Sequence, residues 1–135
     1  MRVLLLIAAL LPSAASAEVI QCPDRFPSEQ VRLQKTLAGQ QGAARVLTSR
    51  LSGGYMVSGE LFAEQEFVPE IERVPGGRNV RYNFPGQGRW LVCEYGGNVQ
   101  WWAMLNPHIT ECELRLRETK VKQAESKWTA AATCK

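Results

Sequence analysis

Few side chains in this chain could move a proton or attack a bond near neutral pH. It has one histidine, His108, and one aspartate, Asp24. His108 follows Asn106-Pro107, a pair that reads as a turn. It could serve as a general base or a pH-sensitive contact. A base needs partners to form a site, and an exposed turn residue is the plainer reading. Glu60, Glu64, Glu66, Glu70 and Glu72 form an acidic run. Paired carboxylates can cleave glycosidic bonds, but such a run is more often a solvated face. No G-x-S-x-G, H-E-x-x-H or glycine-rich phosphate loop occurs. The chain is therefore not expected to be an enzyme, and no cofactor is expected.

The cysteines carry a different chemistry. Cys22, Cys93, Cys112 and Cys134 include no C-x-x-C pair, and a single histidine is a poor complement to them, so no metal site is expected. An even count in an exported chain reads as two disulfides. Four cysteines allow three pairings, and sequence alone does not choose among them. Cys93–Cys112 with Cys22–Cys134 is favoured, because it places one bridge between neighbouring strands and ties the two chain ends. That count also leaves no free thiol for a Cys–His nucleophile.

Export itself is read from the first residues. Met1-Arg2 precedes the apolar run Val3 to Leu11, which Pro12 and Ser13 break, and Ala15-Ser16-Ala17 follows. A basic start, an apolar run of about ten residues and an A-x-A end describe a secretory signal peptide. A membrane-spanning helix would need about 20 apolar residues. Cleavage is expected after Ala17, and Cys22 lies too far beyond it for a lipid anchor. The expected product is one disulfide-bonded periplasmic domain, residues 18–135, without membrane insertion. Loss of Arg2 takes the formal charge from +3 to +2, too little to argue for nucleic acid.

The elements that must position these residues read mostly as short strands. Val31 and Leu33 alternate with Arg32 and Gln34. Leu37 to Leu47 is looser, with Gly39 and Gly42 against a stable helix. Gly53-Gly54 reads as a turn into Tyr55-Met56-Val57, closed by Gly59. From Arg78 the pattern sharpens: Val80, Tyr82 and Phe84 face one way, Arg81 and Asn83 the other. Trp90 to Tyr95 and Val99 to Met104 read as a hairpin turning at Gly96-Gly97-Asn98. Glu111 to Arg117 alternates, with Cys112, Leu114 and Leu116 inward. Trp128, Ala130, Ala132 and Cys134 share a face whose small alanines allow another element close. Glu118 to Lys127 is a loop or a short helix. The expected fold is mainly β: a single-domain antiparallel β-sandwich or open barrel, with at most one or two short helices.

Two features suggest recognition rather than reaction. Glu60 to Glu72 carries five acids and no base, while Arg73 to Arg89 carries Arg73, Arg78, Arg81 and Arg89 and no acid. Paired in a hairpin, these charges neutralise each other. Held apart, they form two lobes that would steer a charged partner. Trp101-Trp102, as strand neighbours, point to opposite faces, so one indole faces the core and the other outward. An outward indole needs cover from a loop, a partner or a saccharide.

The segment Trp90-x-x-Cys93-x-Tyr95-Gly96-Gly97, then Leu105-x-Pro107, then Cys112 leading an alternating strand, resembles a family of small, largely uncharacterised bacterial periplasmic proteins. Its members also start with a signal peptide and a Cys-Pro, as Cys22-Pro23 does here. They usually carry leucine where Asn106 precedes Pro107. Members lie near toxin-delivery secretion genes, so the resemblance implies a periplasmic immunity or inhibitor role and supplies no catalytic residues. The leading expectation is a binding protein that neutralises a secreted toxin or cell-wall hydrolase through Trp101, Trp102, His108, Arg115 and Arg117. The alternative is a non-catalytic envelope or carbohydrate-binding module, with peptidoglycan contact.

Overall fold

Strict alternation of apolar and charged residues sets the larger sheet. A computed structural model of the chain describes residues 17–27, 30–32, 37–45, 50–62, 68–86, 88–96, 98–122 and 124–135. The expected signal peptide up to Ser16, together with Leu33, Glu64 and Glu66, lies outside the described residues. Ten strands follow in order: β1 (Glu18–Gln21), β2 (Gln30–Arg32), β3 (Ala43–Arg45), β4 (Leu51–Ser58), β5 (Glu70–Val74), β6 (Gly77–Asn83), β7 (Arg89–Tyr95), β8 (Val99–Met104), β9 (Glu111–Thr119) and β10 (Lys127–Cys134). The described residues contain no helix.

Five strands pair antiparallel in the order β1-β10-β9-β6-β5. The register sets Cys134, Cys112 and Tyr82 side by side, then Ala132, Leu114 and Val80. These six side chains are buried, because period-2 alternation turns them all to one face. The other face takes Glu113, Arg115 and Arg117 of β9 with Asn79 and Arg81 of β6. A second sheet, β4-β7-β8, is also antiparallel. Its Met56, Leu91, Cys93 and Tyr95 join the inner face of the first sheet in one apolar core. Neither sheet closes on itself, so the architecture is a β-sandwich. β2 and β3 form a separate two-stranded ladder.

Gly53-Gly54 lies inside β4 rather than in a turn, and the reason is space. A Cβ on Gly54 would sit 3.1 Å from the Val92 carbonyl oxygen and 3.4 Å from the Ala130 Cβ. The glycine lets β4 approach β10 of the facing sheet, where the small alanines leave room. At the end of β5, Pro75 and Gly76 make a two-residue turn, with Gly76 at φ +71°. Glu118 to Lys127 holds a turn between β9 and β10.

The disulfides correct the favoured pairing. They are Cys22–Cys93 and Cys112–Cys134. Cys112 and Cys134 are register partners on adjacent strands, with Cα atoms 4.1 Å apart. Cys22, just past β1, crosses to Cys93 on the other sheet, with Cα atoms 5.7 Å apart. One bridge does join neighbouring strands, but those strands are β9 and β10. β1 and β10 are held together by backbone pairing instead, with Glu18 opposite Cys134.

Candidate functional site

The residues singled out for recognition fall on different parts of the sandwich. Arg115 and Arg117 lie on the outer face of the five-stranded sheet, where charge is already matched. Arg115 Nε lies 2.8 Å from Glu113 Oε1. Arg117 donates to the Arg78 and Leu116 carbonyls and, at 2.6 Å, to Asn79 Oδ1. Arg81 lies within 3.9 Å of Glu70, Glu111 and Glu113. Glu72 accepts from Asn79 Nδ2 at 3.0 Å. The acidic and basic runs thus meet in the β5–β6 hairpin, where Glu70 is the register partner of Arg81. For these residues the pairing alternative holds. Each exposed pair contributes little singly, but together they occupy this face with its own network.

The two tryptophans stand on opposite faces of β8, as alternation requires, but their exposures are the reverse of simple expectation. Trp102 points outward opposite Val92 and is nonetheless partly buried. Phe62 meets it edge-on at 5.4 Å between ring centroids, and Trp90 at 6.2 Å. Its indole N–H donates to Gln100 Oε1, whose amide donates to Tyr55 Oη. Trp90 donates to the Gly59 carbonyl. This aromatic cover buries Val57 and Val92 on the face away from the core. Trp101 shares the inner face with Cys93, its register partner, yet is 40% exposed. The reason is that β8 is an edge strand, and Trp101 overhangs the core beside Phe26, 6.2 Å between centroids.

The segment after β1 props up this edge. Tyr95 donates its hydroxyl to the Pro23 carbonyl at 2.8 Å and meets Phe26 edge-on at 5.4 Å. Burial raises the Tyr95 pKa above its ordinary 10.0, and the Asp24 charge adds to the shift. The Leu51 N–H donates to the Asp24 carbonyl, and the Cys22 N–H to that of Ala130. With Cys22–Cys93 these bonds fix the segment against both sheets. His108 is exposed in the turn after β8, where its backbone N–H donates to Asn106 Oδ1 at 3.0 Å. That turn hangs from the Met104 end of β8, since the Leu105 N–H donates to the Arg89 carbonyl. Trp101, Trp102 and His108 therefore share one strand and its turn, whereas Arg115 and Arg117 belong to the outer face of the other sheet.

Of the arginines that lack compensation, sequence reasoning named Arg73 and Arg78 in the basic run and missed Arg25 and Arg50. Arg25 and Arg50 face each other across an isolated antiparallel bridge, and Arg73 faces Arg78 across the β5–β6 hairpin. Like charges directly opposite are unfavourable. Among the described residues none of the four has a carboxylate within salt-bridge distance. The first pair joins positions far apart in the chain, so no local spacing signals it.

All four cysteines are spent in disulfides, and Glu70, Glu111 and Glu113 are held by cations. The arrangement offers rigid apolar and cationic surface. No curated protein and no solved structure matches the chain. Residues 40–135, spanning β3 to β10, match the family model of the type VI secretion system Tli immunity protein. The chain belongs to this family of immunity proteins, which neutralise an effector by protein–protein binding.

Proposed function

We propose that the protein acts in the periplasm after losing residues 1–17, and that it binds its effector through the β8 edge and the turn after it. The family places it among immunity proteins, and two disulfides suit an oxidising compartment. The effector would be an enzyme acting on the envelope, a cell-wall hydrolase in the form expected from the sequence, and binding would cover its active site. The observation that carries the footprint is Trp101, 40% exposed on an edge strand with no charged residue. Edge strands are usually guarded by charge or proline, and tryptophan is the residue type most enriched among binding hot spots. Met104, 70% exposed at the end of the same strand but on the Trp102 face, and His108 in the following turn complete this edge. Arg115 and Arg117, on the far sheet and already held, fall outside it.

The test is a protection assay. Cells that direct the effector to their own periplasm should survive with the full chain and lyse or stop growing with a chain lacking residues 1–17. Equal protection by both would overturn the periplasmic reading. Release of muropeptides from sacculi, against release of fatty acid from phospholipid vesicles, decides the effector's substrate. Exposed Trp101 also suits the alternative of an envelope or carbohydrate-binding module. Sedimentation of the purified domain with sacculi in the absence of effector would favour that reading.

A further inference from the structure

The groove beside Phe26 has a chemistry of its own. It is lined by Asp24, Arg25, Arg50, Leu51, Lys127 and Trp128, and holds about 200 Å³. That is smaller than the roughly 300–1,000 Å³ of small-molecule sites. It suits side chains offered by another protein better than a free ligand. Asp24 is the only carboxylate in the lining, and it is already taken by Lys127, Nζ 3.2 Å from Oδ2. One carboxylate against three cations leaves two positive charges in surplus. Those charges are Arg25 and Arg50, exposed and set opposite each other by the bridge. Their repulsion is a standing cost in the free protein, and an incoming anion would relieve it.

The position is equally specific. Arg25 immediately precedes Phe26, whose ring touches both Trp101 and Tyr95. Phe26 thus links the groove, through its chain neighbour Arg25, to the exposed indole that it meets edge-on. Its walls are held by the Cys22–Cys93 disulfide and by the Leu51 N–H to Asp24 carbonyl bond. Such a site needs little backbone ordering on binding, which favours affinity. A guanidinium offers donors in a planar fork that fits a carboxylate in two-pronged fashion.

We infer that this groove is the specificity-determining part of the effector interface: it receives one or two acidic side chains of the effector next to the Trp101 contact. The inference rests on the immunity reading above and on Trp101 belonging to the contact surface. The geometry assigns the chemistry of the partner at this point: an aspartate or glutamate flanked by an apolar residue that can meet Trp101.

The test uses the mature domain and the effector that it captures, purified in an inactive form. Arg25→Glu with Arg50→Glu should weaken binding by about a hundredfold, mostly through faster dissociation, and should flatten its salt dependence. Arg73→Glu with Arg78→Glu makes the same change in charge at the far edge of the five-stranded sheet. It should stay within about threefold of wild type, the remainder expected from long-range steering. Replacing the matching effector acid by lysine should restore binding to the domain substituted at both Arg25 and Arg50. If that doubly substituted domain unfolds, hydrogen exchange on the wild-type complex replaces it, with protection expected at Asp24 to Phe26 and at Arg50-Leu51. Unchanged affinity after substitution at Arg25 and Arg50, or no added protection at those amides, would overturn the inference while leaving the immunity function standing. Failure of the wild-type domain to bind any effector would instead overturn the reading on which it rests.

Discussion

Tyr95 and Tyr82 show how single residues report on the whole structure. Both phenols are buried, and burial pushes both pKa values above 10.0. For Tyr82, a backbone hydrogen bond with Met56 and the Arg78 charge pull partly the other way. Below pH 10 both folded and unfolded chains keep these protons, so their contribution to stability is complete. Above it the unfolded chain releases protons that the folded chain retains, and stability must fall as pH rises. The slope cannot exceed about 1.4 kcal/mol per pH unit for each tyrosine. Urea denaturation at pH 8 and above pH 10 should therefore show a loss that Tyr95→Phe reduces. At pH 8 that variant should cost about 1 kcal/mol, because the Pro23 carbonyl loses its donor. The tryptophans should separate in the same assay. Trp102→Ala removes packing from Trp90, Phe62 and Val92, and should cost about 2 kcal/mol. Trp101→Ala should change stability by less than half of that and instead weaken effector binding by about tenfold or more. An equal loss of stability in both would mean that Trp101 is a packing residue.

At the scale of elements, the legible parts are those where period 2 is unbroken. β6, β9 and β10 are readable because one face of each is buried against a continuous core, which forces strict alternation. Gly53-Gly54 misleads because a glycine pair also serves close approach between sheets, and only the facing alanines distinguish the two uses. The disulfide pairing misleads for a topological reason. Spacing along the chain does not show that β10 lies between β1 and β9, and that order alone puts Cys134 opposite Cys112. The motif residues Trp90, Cys93, Tyr95 and Cys112 turn out to be structural. They donate to Gly59, bridge to Cys22, donate to Pro23 and bridge to Cys134. The Arg25–Arg50 pair and its groove are not legible at all, since they depend on a bridge between distant segments. A non-reducing digest should yield Cys22 linked to Cys93 and Cys112 linked to Cys134. Replacing the first pair by alanine should cost about 4 kcal/mol and the second about 3 kcal/mol, in proportion to the logarithm of the 71- and 22-residue separations. Recovery of the Cys93–Cys112 peptide would contradict the sheet order.

For the molecule as a whole, charge is distributed rather than abundant. The formal net charge is +3, yet the outer face of the five-stranded sheet neutralises itself while two arginine pairs do not. A protein without a free thiol, with Glu70, Glu72, Glu111 and Glu113 engaged on one sheet face and its exposed indole on a braced edge, is built to hold a partner rigidly. Its family gives that partner a class: an effector, bound as protein to protein. The most direct measurement is a titration of active effector with the mature, oxidised domain, following substrate turnover. Turnover should fall in proportion to added domain and vanish at one domain per effector, with both chains intact afterwards. Full turnover at a large excess of correctly oxidised domain would contradict neutralisation by binding.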